Sequence, residues 1–332
     1  MYELRTLVIE PKRRTYRHVQ ERVGDRAPTR YEEATIGVQS LEGFHYRPLW
    51  APGHDLYDPA WSRLRVSDPD AFLDPRQFYY GSYVMNRAQR TDALGQMVQF
   101  VQERDLASML PDRWIDVLAG VVIPLRHYEA GANLISINAA RFAWGAPIGT
   151  AAAFSAMDRL ANAQLLTEGG LSLPPRVRRA GGTEWLAAIK QAWIEHPAHQ
   201  PARKMIEELL VEPDWAVGLV ALDLADSLIF PLLFSHLVER AFTEGVSYYS
   251  LPAPFVWQWY QEQAKWLGVL RQTWLDDPEH GEANAAALAD IARQWRPSAL
   301  GAARALAGRI DELMGDTAAT DFVERRYEET VR

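Results

Sequence analysis

Four apolar stretches of this sequence each carry two polar side chains three residues apart: Arg126 with Glu129, Arg159 with Asn162, Asp223 with Asp226, and Glu262 with Lys265. On a helix that spacing places both members of a pair on one face. It is also the spacing of the Glu-x-x-His ligand pair in di-metal carboxylate bundles, where side chains from facing helices meet around the metals. None of the four pairs contains a histidine. Two arrangements are open: the four faces meet in one buried polar cluster, or each is a solvated stripe, where most charged residues sit. Asp223 and Asp226 lie in so apolar a run, Val217 to Phe234, that a solvated face there would be very narrow, which favours burial.

Other chemistries find little support. The single Glu-x-x-His, Glu42-Gly-Phe-His45, lies in a Pro-rich segment beside Arg47-Pro48 and has no second copy to complete a two-metal site. His196 and His199 flank Pro197 in a polar loop without carboxylate partners suited to a metal. His127 and His236 fall on expected helices, where a histidine is more often a hydrogen-bonded core or interface residue than a catalyst. No nucleophile elbow, phosphate-binding loop or dinucleotide fingerprint is present. With no cysteine, disulfides, Cys-ligated zinc, iron–sulfur clusters and thiol nucleophiles are excluded together. The pair Asp276-Asp277 before Pro278 reads as a helix end, and Trp257, Trp259 and Trp266 as core or subunit contact rather than a ligand platform.

Composition bounds the rest. At 332 residues and 48% hydrophobic content the chain can bury a large core. Forty-three acidic against 35 basic residues give a net charge of -8, which argues against a nucleic-acid groove. The start, MYELRTLVIEPKRR, lacks the apolar core of a secretory signal. Val217 to Phe234 is the strongest membrane candidate, but Asp223, Asp226 and Pro231 interrupt it, so a buried bundle helix is expected and no membrane partner. Together with the absence of cysteine, these features fit a cytoplasmic protein.

The elements that would carry the four pairs are helices. Asp74-Pro75 offers an N-cap and a first-turn proline for a helix to about Leu106. A second opens at Pro111-Asp112 and runs towards Phe142, with Pro124 as a kink. The third follows Gly145-Ala146-Pro147 and contains Ala151 to Leu166. Gly169 to Gly182, with Pro174-Pro175 and two Gly pairs, is the clearest internal linker. Beyond it come short helices from Thr183 to Glu195 and Arg203 to Val211, then apolar ones from Asp214 to Thr243 and from Pro252 or Pro254 to Asp276. Two amphipathic helices, Glu282 to Trp295 and Ser298 to Met314, precede a charged tail. No strand pattern is convincing. The expected organisation is an all-α chain: an aromatic, Pro-rich N-terminal arm over 1–74, a helical domain over 75–315 and a tail over 316–332.

The run FHYRPLWAPGHDLYDPAW, followed by DPRQFYYGSYVMNRAQ, closely resembles the beta subunit of the bacterial multicomponent phenol hydroxylases, relatives of the toluene and alkene monooxygenases. The likeness continues through PLRHYEAGAN, SAMDRLANAQ and WQWYQEQAKW, covering about Arg13 to Trp295. It implies a ferritin-like, ribonucleotide-reductase-like bundle shared with a catalytic alpha subunit that holds two irons through four glutamates and two histidines. Placed on that pattern, the two Glu-x-x-His motifs become Arg159-Leu-Ala-Asn162 and Glu262-Gln-Ala-Lys265. Glu129 matches the region of one single Glu ligand, and Asp223 or Asp226 that of the other.

The resemblance thus implies a non-catalytic subunit with no cofactor of its own, the di-iron centre lying in alpha. Its partners would be alpha and a small gamma subunit in a dimer of protomers, served by a regulatory protein and an NAD(P)H-dependent reductase. Phe44, His45, Tyr46, Arg47, Trp50, Tyr57 and Trp61 are the interface candidates. Over the four pairs three cations face four anions, so Arg159 and Lys265 are expected to fill the vacant centre and pair with the acids. Isolated, the chain is expected to be poorly soluble and to bind no stoichiometric iron. The rival readings are an autonomous metal-dependent oxidoreductase using His127 or His236, and a helical adaptor unrelated to oxygenases.

Overall fold

The computed structural model describes residues 15–40, 53–173 and 184–331, and among these there are helices and no strands. Two short N-terminal helices, α1 (Arg17–Val23) and α2 (Arg30–Thr35), precede an irregular segment and then α3 (Tyr80–Glu103). α3 starts later than Asp74-Pro75 implies. Asp74 ion-pairs with Arg76 at 2.8 Å and donates its backbone N–H to the Tyr31 hydroxyl, and Gln77 adopts a left-handed φ of 53°, which no helix can continue through.

The second helical path is nearly continuous but changes pitch. α4 (Asp112–Val117) passes through a π turn, Leu118–Val122, and a 3-10 turn, Ile123–Leu125, into α5 (Arg126–Phe142). Pro124 sits in the 3-10 turn, where its missing N–H disturbs the regular ladder. α6 (Ala146–Leu171) follows a tight corner at Gly145, whose φ of 115° and approach to the Pro69 carbonyl leave no room for a side chain. α5 and α6 form the most extensive helix pair in the molecule.

After α7 (Glu184–Glu195) and α8 (Gln200–Leu210) comes α9 (Trp215–Pro231), capped by Asp214, whose carboxylate accepts from the N–H groups of Ala216 and Val217. α9 runs through a second π turn, Leu232–His236, into α10 (Leu237–Thr243). The composite Trp215–Thr243 is the one helix among the described residues long and apolar enough to cross a membrane, and the bundle interior accounts for that apolarity, because its apolar window is 83% buried. α11 (Ser247–Ser250), α12 (Ala253–Leu275), α13 (Gly281–Met314) and α14 (Ala318–Val331) complete the chain.

Two expectations are corrected here. The two helices expected on either side of Arg296-Pro297 are one: α13 continues through Pro297 because Trp295 on one side and Ala299, Leu300 and Ala303 on the other bury a single stripe. The charged tail is largely a helix docked on that stripe, with Ala319 and Val323 buried and the Asp311 carboxylate accepting from the N–H groups of Ala319 and Thr320.

The core is one cluster reaching from Trp61 to Val323, with a small satellite of Phe78, Tyr83 and Phe154 under the start of α3. Part of the N-terminal segment belongs to it. Leu64, Val66 and Phe72 are buried, Ser67 is held by Asp277, and Asn284 clasps both the N–H and the carbonyl of Arg65. Gly131 marks a close crossing of α5 and α8, since a Cβ there would lie 2.2 Å from Ile206 Cγ2. In G131A the helix-propensity gain of about 1 kcal/mol opposes an overpacking cost of about 1–3 kcal/mol against a β-branched neighbour. Urea unfolding is expected to show net destabilisation, and the same substitution in an I206A background is expected to stabilise; a stabilised G131A single variant would refute this crossing.

Candidate functional site

The polar centre of the bundle is built on α6. Arg159 points inward from its middle and is fully buried. Its Nη1 donates to Glu129 Oε1 of α5 at 2.9 Å, and its Nη2 pairs with Asp226 Oδ2 of α9. Asn162, one turn along α6, donates to Glu129 Oε2 at 3.3 Å, and the Tyr128 hydroxyl donates to Asp226 Oδ1 at 2.7 Å. The guanidinium lies over the Trp259 ring of α12 at 4.7 Å and near Phe230 at 5.5 Å, so its faces are covered by π-systems.

The electrostatics follow from burial and charge count. Two carboxylates share one cation in a dry site, and desolvation pushes the Glu129 carboxyl up to about 7 although Arg159 opposes the shift. The two acids hold the guanidinium charged, above its ordinary value, against its own desolvation. Tyr128 is pushed well up by burial.

A second polar group joins the first through adjacent residue Asp158. Tyr83 and Arg87 of α3 both donate to its carboxylate, at 2.8 Å from the hydroxyl and 2.7 Å from Nη2. Arg87 Nη1 continues to Glu262 of α12 at 2.9 Å, and Arg90 pairs with the same carboxylate. The start of α3 is therefore tied to α6 and α12 by ions beside a small aromatic contact, Tyr83 stacked on Phe154 at 4.2 Å, rather than by a long packed stripe.

Of the eight positions singled out on the four faces, Glu129, Arg159, Asn162 and Asp226 meet. Asp223 does not point to the centre; its carboxylate takes Arg271 at 2.7 Å, and burial raises it to about 6. Lys265 is a correction: it is exposed, because the inward stripe of α12 runs through Trp259, Gln263, Trp266 and Leu270, leaving Glu262 at its edge and Lys265 outside. Arg126 is also away from the cluster, half-buried with its Nε 3.3 Å from His127 Nε2. The pair spacing missed Tyr128, Asp158, Tyr83 and Arg87. Two of them sit next to named residues, and the Tyr83, Arg87, Arg90 stripe on α3 was the available signal for the others.

Phe44, His45, Tyr46, Arg47 and Trp50 lie outside the described residues. Tyr57 is half-buried. Trp61 is 8% exposed, stacks on Phe142 at 4.4 Å and donates its indole N–H to the Pro213 carbonyl, so it packs in this chain's own core. His127, stacked near Trp193, is pushed down to about 4 by burial, and His236 stacks on Phe322 and is likewise lowered.

The donor set of the central cluster does not fit a pair of irons. Both carboxylates are engaged by a guanidinium, no imidazole joins them, and the space beside Glu129, Asn162 and Tyr128 is about 10 Å³, at the limit for a single water. Among the described residues no three His, Asp or Glu side chains are grouped to hold a metal ion. The cluster can neutralise and brace; it offers no ligands to exchange.

A long helical bundle with a polar centre between α5, α6, α9 and α12 defines the class of the protein. Residues 50–278 match the Methane/Phenol/Alkene Hydroxylase family, and the chain belongs to it. It is 34% identical to the phenol 2-monooxygenase oxygenase component DmpL of Pseudomonas sp. (strain CF600), over 90% of this chain and 88% of that protein. It is 31% identical to the oxygenase component MhpL of Acinetobacter pittii, over 84% and 83%. The crystal structure of xenon-pressurised phenol hydroxylase from Pseudomonas sp. OX1 superposes with a TM-score of 0.84 at 30% identity, covering 98% of each chain. Toluene 4-monooxygenase shares the fold at a TM-score of 0.76 and 21% identity, over 90% of this chain and 97% of that one. The all-α, ferritin-like architecture expected from the sequence is the one present.

R159M tests the cluster. Leaving two buried acids without their cation is expected to cost about 3–5 kcal/mol near pH 8. Glu129 already keeps its proton in the folded state from its unfolded value of about 4.3 up to about 7. A raised carboxyl favours folding at low pH, and that contribution is lost as pH rises across this window. Without Arg159 the window extends upward, so the variant's deficit should be smaller near pH 5.5 than near pH 8 in urea titrations. An equal deficit at both pH values would show that Glu129 does not feel the guanidinium.

Proposed function

We propose that this chain is the structural, non-catalytic beta-type subunit of a multicomponent aromatic monooxygenase hydroxylase, bracing a catalytic alpha subunit that carries the di-iron centre and hydroxylates its substrate with dioxygen. The observation that carries the reading is Arg159, seated between Glu129 and Asp226 where two helices of a di-iron bundle would present metal ligands. The guanidinium supplies inside the fold the positive charge that metals supply in such a bundle. The relatives support the same place in an assembly, being oxygenase components of phenol 2-monooxygenases and, at 27% identity, the small subunit of a propane 2-monooxygenase hydroxylase from Mycolicibacterium goodii.

A partner also accounts for exposed apolar side chains on the best-packed helix pair. Leu134 and Ile137 of α5 and Met157 and Leu160 of α6 are all about half exposed. The assembly we infer contains alpha, a small gamma subunit and a second protomer, with the regulatory protein and the NAD(P)H-dependent reductase of the same system acting on alpha. Within the chain, 75–315 is the bracing domain, and 1–74 contributes to wrapping the partner.

The test is co-expression with a larger subunit carrying two Glu-x-x-His motifs, followed by iron analysis. The two chains are expected to co-purify with iron that is unchanged by R159K in this chain and is lost when the larger subunit's histidines are replaced. Stoichiometric iron and turnover in this chain alone would overturn the reading in favour of an autonomous oxidoreductase.

A further inference from the structure

α3 is an unusual element. Of its 24 residues only Tyr83, near its start, and Val101, near its end, are buried. Between those two anchors it bridges over α6 and α12, and a cleft lies under each half. The two clefts differ in chemistry.

Under the N-terminal half lies a space of about 140 Å³ where Arg87, Arg90, Asp158 and Asn162 stand beside Leu94, Leu165 and Trp259; Arg87 pairs with Asp158 and Arg90 with Glu262. Ions and an open mouth make that cleft a place for water. Under the C-terminal half lies one of about 80 Å³ whose inner wall is Leu118, Val122, Phe234 and Val256, with Val98 of α3 as its lid. The hydroxyls at its far end are already satisfied: Tyr248 donates to the Gly169 carbonyl and is 2.7 Å from Ser172 Oγ. Glu168 and Gln102, both exposed, stand on its rim.

This second cleft offers a guest almost nothing but hydrocarbon. A water there would forgo most of its hydrogen bonds, and apolar cavities of this kind stay dry and accept apolar guests. Size narrows the class further: about 80 Å³ is roughly half the volume of an engineered cavity of ~150 Å³ that takes benzene. Its wall also has an uncommon construction. Leu118 and Val122 come from one π turn and Phe234 from the other, so both π turns among the described residues face this space, and such turns are frequent at functional sites.

We propose that the cleft between the C-terminal half of α3 and the two π turns is a binding site for a small uncharged apolar molecule of the size of dioxygen or xenon, smaller than a benzene ring. The site is independent of the ion cluster at Arg159 and does not rest on this chain's being a beta-type subunit.

The experiment is xenon pressurisation of crystals of the full chain, in whatever assembly it purifies, with xenon sites elsewhere in the same crystal as the control for loading. Xenon density against Val122 and Phe234 is expected in the wild type. It should disappear in V98W, which closes the mouth from a half-exposed position, and in V122F, which fills the interior. Two variants acting from opposite walls keep the outcome readable if one of them disturbs the fold. Ordered water in the cleft, or no xenon there while other sites load, would overturn the proposal. Benzene soaked under the same conditions should not enter, and a benzene ring seated in the cleft would refute the size class.

Discussion

The interaction on which the rest of this structure depends is the guanidinium of Arg159 closed in between Glu129 and Asp226. A cation with no exposure is tolerable only when its partners are fixed, and each partner comes from a different helix. The ion pair therefore fixes the rotation and spacing of α5, α6 and α9 together, and the rings of Trp259 and Phe230 add α12 to the set. A ferritin-like bundle that binds metal solves the same problem with ligands. Here the helices meet around a side chain.

Around that centre the molecule divides into parts held by packing and parts held by ions. α5, α6, α9 and α13 bury continuous stripes and form the rigid body. α3 is attached differently, through Tyr83 and Arg87 on Asp158, through Arg87 and Arg90 on Glu262, and through Val101. Few buried apolar contacts mean a low local stability, so α3 is the long helix with the least to lose on moving. The N-terminal segment shows the opposite: Leu64, Val66 and Phe72 lie in the core, and Asn284 and Asp277 satisfy its backbone as a neighbouring strand would.

Much of this was legible in the sequence. Helical periodicity, Pro124 as a kink and Asp214 as a helix start correspond to observed features because they act over one or two turns. The polar interruptions of α6 and α9 were visible for the same reason, since Arg159 and Asp226 stand out against Ala, Leu and Val. The aromatic N-terminal run carried the family signal. Local rules also misled where they met long-range packing. Asp74-Pro75 has every mark of a helix start, yet Asp74 is taken by Arg76 and Tyr31. Pro297 has every mark of a helix break, yet α13 passes through it under a continuous buried stripe.

By itself, then, the sequence determined the fold class, the family and the fact that acids lie in apolar helices with no histidine at ligand spacing. Those properties reside in residue types and in periods of three and four along one chain. Only the tertiary structure decided which charges meet. Lys265 and Asn162 hold matching motif positions, but the rotation of α12 turns one to solvent while α6 carries the other to the centre. Glu262 was drawn to Arg87 and Arg90, and Asp223 to Arg271. A three-residue spacing says that two side chains share a face; what that face looks upon depends on the packing of three other helices, and no spacing encodes it.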